Sequence, residues 1–89
     1  MAKKRRKLNL DFEKKIYSSK KSVELVLAKI YDIDDEDIQK EYISAFNKVV
    51  YLYDQLKEDY EQSGFNDNSE ELLTKYKIAF NLFESEFEI

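Results

Sequence analysis

Apolar side chains recur along the first third of the chain at Phe12, Ile16, Val23, Val26, Ile30 and Ile33, with Ser19 filling the one polar step. The intervals alternate between four and three residues. This seven-residue repeat places every member on one stripe of a helix that packs in coiled-coil fashion. Asn9 or Asp11 is the expected N-cap, while Tyr17 and Leu25 fall off the stripe. The acidic stretch at residues 31–37 interrupts the pattern. Asp34 or Asp35 can accept bonds from free backbone N–H groups there, and the acids that follow suit the positive end of a new helix.

A second stripe runs through Ile38, Tyr42, Ala45, Val49, Leu52 and Leu56. Phe46, Tyr53 and Tyr60 widen it, as do Ile43 and Val50, until the apolar arc covers about half of the helical cylinder. A helix of that kind touches two neighbours, and at about 27 residues it is about 40 Å long. Gly64 can end it in a left-handed conformation. Asn68 and Glu71 have the spacing of a capping box that starts a third helix. That helix carries Leu72, Leu73, Tyr76, Ala79, Phe80, Phe83 and Phe87 on one face, and Ile78, Leu82 and Ile89 nearly opposite.

The pattern predicts an all-α fold, a three-helix antiparallel bundle with a long central helix. Helices are expected over about 10–32, 35–62 and 69–87 of a single domain spanning residues 9–89. Residues 1–8 form a basic arm, expected to be disordered. Composition agrees, because Pro is absent and Gly occurs once, whereas turn-rich β architecture needs both repeatedly. No apolar run approaches the roughly 18 residues of a membrane span, nor does a secretion-type apolar stretch follow the N-terminal charges. The expectation is a cytoplasmic protein.

Charge divides the chain. Residues 1–21 hold nine Lys/Arg against two acids, a net of +7, and residues 22–89 hold six Lys against seventeen acids, a net of −11. Such asymmetry points to charged partners. Lys3, Lys4, Arg5, Arg6 and Lys7 can neutralise phosphates or dock on an acidic surface, and Lys14, Lys15, Lys20 and Lys21 extend that charge along the first helix. Asp54, Glu58, Asp59 and Glu61, with Tyr51, make an acidic surface on the central helix.

The chemistry that the composition excludes is equally informative. With no His and no Cys, Ser-His-Asp and Cys-His catalysis, zinc spacings and Glu-x-x-His di-iron sites are all impossible. One glycine leaves no phosphate-cradling loop. Asp32, Asp34, Glu36 and Asp37 approach a calcium loop, but its sixth position is Asp37 and its twelfth Ile43, where glycine and glutamate are required. No cofactor and no small-molecule substrate are expected. Tyr31 and Asp35 fit Tyr-x-x-x-Asp, which resembles the signal on small helical-hairpin substrates of type VII secretion. The resemblance covers those two residues, and the Trp-x-Gly turn of that family's best-known members is absent, since the chain has no Trp.

These readings converge on a non-enzymatic protein-binding regulator or inhibitor whose acidic helical surface engages a basic partner. The codon bias implied by many Lys, Ile, Asn, Tyr and Phe and few Gly, Ala, Arg and Pro points to a low-GC genome, such as that of certain bacteria, their phages or their plasmids, and the expected origin is a phage or mobile element of such a bacterium. The alternative is a nucleic-acid accessory protein acting through the arm. Ile78 and Leu82 add an apolar strip suited to a homodimer or a partner groove. Deleting residues 2–7 tests the alternative: five phosphate contacts predict a slope of log affinity against log salt of about −3.5 to −4.5, lost on truncation. An unchanged slope in a gel-shift titration would remove the arm from nucleic-acid binding.

Overall fold

The computed structural model describes residues 8–87. Three helices account for nearly all of them: α1 (Leu10–Tyr31), α2 (Glu36–Ser63) and α3 (Ser69–Phe87). Residues 3–7, where the basic cluster lies, and Ile89 fall outside the described residues. Among the described residues, no helix is long and apolar enough to cross a membrane.

Helices α1 and α2 each begin where a side chain serves their unpaired N–H groups. Asn9 caps α1, its Oδ1 accepting from the Phe12 N–H at 3.0 Å. Asp35 caps α2 through the N–H groups of Asp37 and Ile38, at 2.9 and 3.2 Å. The turn before α3 is built differently from the expected capping box. The Asn68 N–H, which that box would give to Glu71, donates to Asn66 Oδ1 at 2.8 Å, and Glu71 pairs with Lys75 at 3.6 Å instead. Asn66 holds the loop together. Its Nδ2 donates to Asp59 Oδ2 and to the Gly64 carbonyl, each at 3.0 Å, and its N–H donates to Ser69 Oγ at 2.8 Å. Gly64 ends α2 at φ 73°, ψ −165°, a region open in practice to glycine alone.

Helix α2 is the shared neighbour of the other two. It runs antiparallel to both: Phe12, near the start of α1, meets Tyr60, near the end of α2, and Tyr42 and Phe46 meet Phe87 and Phe83 of α3. The α1 stripe falls where periodicity places it, with Phe12, Ser19, Val23, Val26 and Ile30 buried. The α2 seam is rotated from the expected one. Its buried line is Phe46, Val49, Tyr53, Leu56 and Tyr60, while Tyr42, Ala45 and Leu52 are half-buried and Ile38 is 44% exposed. Two apolar heptad tracks lie side by side on this helix. The inner one is set by where α1 and α3 sit, and aromatic rings fill it.

Polar side chains fasten the ends. The Tyr60 hydroxyl accepts from the Asn9 N–H at 3.1 Å and donates back to the Asn9 carbonyl at 3.5 Å. Gln39 Nε2 reaches the carbonyls of Ile30, Tyr31 and Ile33 at 3.2–3.5 Å, completing the end of α1 from a neighbouring helix. The Tyr42 hydroxyl donates to the Phe87 carbonyl at 3.3 Å. Among the described residues, no buried side-chain N or O lacks a hydrogen-bond partner.

The rotated seam changes which leucine matters. Leu56, 1% exposed, should cost about 2–5 kcal/mol on replacement by Ala, and half-buried Leu52 distinctly less. Chemical denaturation of both variants checks this, and equal losses would contradict the observed register.

Candidate functional surfaces

The outer face of α2 is the first candidate. At 100° per residue, Tyr51, Asp54 and Glu58 fall within about 60° of one another, and Glu61 lies about 20° further round. Tyr51 is 63% exposed, and Asp54, Glu58 and Glu61 are also exposed. Asp59 departs from this set. It sits about 100° from Glu58, half-buried, with its carboxylate committed to Asn66. It serves the loop that starts α3 and, contrary to the expectation from sequence, does not share the acidic contact face.

Tertiary packing adds an acid that periodicity within α2 cannot show. Tyr53, beneath this face, has its pKa raised above the ordinary tyrosine value, first by burial and then by the negative fields of Asp54, Glu24 and Glu61. Glu24 belongs to α1, so the negative region crosses from one helix to the next. Lys57 interrupts it, lining a shallow cleft with Glu13, Ile16, Tyr60 and Glu61 between α1 and α2.

Ile78 and Leu82 form the second candidate, 55% and 65% exposed on the outside of α3. Leu82 borders a small cleft of about 210 Å³ with Ala45, Lys48, Ala79 and Glu86. The structure does not bring this strip together with Tyr51, because the acidic face turns toward α1 and the strip lies beyond α3. Ile43 and Val50, which sequence leaves at the margin, are packed against the core.

The third candidate has no sequence signal as a site. No Cα of α1 approaches within 8 Å of one in α3, so these helices leave a seam open between them. A cleft of about 550 Å³ occupies it, lined by Lys14, Lys15, Ser18, Ser19 and Ser22 from α1 and by Tyr76, Lys77, Phe80, Asn81 and Glu84 from α3. The Tyr76 hydroxyl spans the floor, donating to the Ser19 carbonyl at 3.3 Å, while Ser19 Oγ donates to the Lys15 carbonyl at 2.9 Å. Burial raises the Tyr76 pKa as well. The lysines of α1 do not share one face: Lys14 and Lys15 line this seam, and Lys21 stacks over Tyr17 at 5.0 Å.

Tyr31 ends α1 and is exposed, and Asp35 caps α2. Among the described residues, no group of three or more acids could hold a metal ion. Comparison with protein-family models, with curated proteins and with solved structures returns no match to this chain.

Tyr53 and Tyr76 carry a stability signature. Both phenols have folded pKa values above their unfolded ones. The native state therefore holds protons that the unfolded chain releases, and the stability they contribute is present below about pH 10 and lost as pH rises through the folded values. Denaturation midpoints followed through the alkaline range should fall, and the fall should be shallower in a Tyr53→Phe variant. An identical slope would remove Tyr53 from the effect.

Proposed function

We propose that this protein is a small non-enzymatic binding protein, a regulator or inhibitor that occupies a basic surface on another protein through the outer face of α2. The observation that carries this reading is the exposed Tyr51 beside Asp54 and Glu58, in a negative region that Glu24 and Glu61 extend. A large aromatic ring supplies contact area at low entropic cost. Flanking acids speed association with a basic site and select against acidic ones. The −11 balance of residues 22–89 gives that field its sign. A basic site used by the host for nucleic acid is a partner of the right chemistry. The residue usage is that of a low-GC genome, which accommodates a phage or mobile element of such a bacterium. The Ile78–Leu82 strip is a second contact for the same partner or for a homodimer.

The test is capture from a low-GC bacterial lysate with the wild-type protein and with Tyr51→Ala/Glu58→Lys. A genuine partner is retained at low salt, released as salt rises, and absent from the variant's eluate. Proteins held equally by both would place the contact elsewhere, and a wild-type chain that captures nothing at low salt would overturn the reading.

A further inference from the structure

The molecule is electrically two-sided. Helix α2 packs against both α1 and α3, while no Cα of α1 comes within 8 Å of one in α3 and the Tyr76 hydroxyl bridges the gap to Ser19. The outer face of α2 therefore lies across the body of the protein from the α1–α3 seam. One side presents Tyr51, Asp54 and Glu58. The other presents Lys14, Lys15 and Lys77 around a cleft whose single acid is Glu84. Among the described residues, none of these three lysines takes part in an ion pair.

We infer that the α1–α3 cleft receives the α2 face of a second copy of this chain, joining molecules head to tail. Shape and charge agree in register. From Tyr51 to Glu58 the helix advances about 10 Å, and from Lys14 to Ser22 about 12 Å. A copy whose α2 runs antiparallel to α1 sets Tyr51 against Ser22 and Phe80 and brings Glu58 and Asp54 among the rim lysines Lys14, Lys15 and Lys77. The antiparallel sense is the one α2 already adopts toward α1 and α3, so the incoming helix completes a four-helix arrangement with its new neighbours. Ser18 and Ser22 are short enough for a helix to approach closely, and half-buried Phe80 offers an apolar surface for the tyrosine ring.

The two contact surfaces are different parts of one chain, so the interface is heterologous, and each added copy leaves one cleft and one face open for the next. The assembly also covers the face assigned above to a basic partner. Free chains are then the capturing form and assembled chains the masked one. The contact itself does not depend on the partner reading, because it is measured on the isolated protein.

Sedimentation of the wild-type protein over a concentration series should show a weight-average mass that rises with concentration. The rise should shrink as added salt shortens the screening length to about 10 Å or less. Two charge-reversed variants are made at exposed positions, Lys14→Glu/Lys15→Glu/Lys77→Glu and Asp54→Lys/Glu58→Lys, with far-UV circular dichroism confirming that both fold. Each alone should stay monomeric, since its cleft and face then carry the same sign. Mixed in equal amounts they should associate again, because each variant's altered surface complements the other's. A wild-type chain that is monomeric at every concentration, variants that associate as the wild type does, or a mixture that stays monomeric would each overturn the contact. Loss of association in Ile78→Glu/Leu82→Glu instead would move it to the outside of α3. A monomeric wild type whose binding to an oligothymidylate probe is lost in the triple-lysine variant would assign the cleft to nucleic acid.

Discussion

The rest of the structure depends on the aromatic contact between α2 and α3. Phe46 meets Phe80 and Phe83 with ring centroids 6.0 and 4.7 Å apart, Tyr42 meets Phe87 at 4.6 Å, and Tyr53 meets Tyr76 at 6.1 Å. Tilted and edge-on pairs of this kind add to the area they bury. They draw α3 onto α2 along most of its length and leave α1 to be held by a narrower line of Phe12, Val23, Val26 and Ile30. With α3 committed to α2, its side toward α1 is bridged by one phenol rather than by packed apolar residues. The open seam follows from where the rings are.

Much of this was legible in the chain. The alternation of four and three residues located all three helices, and for α1 it located the buried stripe, Ser19 included. The buried serine makes sense once its hydroxyl is seen to bond its own helix and its carbonyl to receive Tyr76. In α2 periodicity named the right residues and chose the wrong midline. Leu52 and Tyr53 are adjacent, and either could centre an arc that wide. The neighbouring helices decide, and their positions are not a property of the α2 sequence.

The surfaces divide in the same way. Tyr51, Asp54 and Glu58 are neighbours by spacing alone, so their common face could be read directly. Asp59 has the same chemistry, but the angle of one residue turns it toward a loop whose organiser, Asn66, gives no signal in the pattern. Glu24 and the lysine-rimmed cleft arise from helices distant in sequence.

Gln39 has a consequence for the order in which the molecule assembles. The carbonyls it serves at the end of α1 are only six to nine residues away in the chain, whereas the hydroxyl that joins α3 to α1 crosses 57 residues. The entropy lost in closing a loop grows with its length. The α1–α2 hairpin is therefore the less costly unit to form, finishing its own turn with a side chain from its second helix. The bond from Tyr76 to Ser19 encloses the whole of α2 and can close only when α1 and α3 are both docked on it.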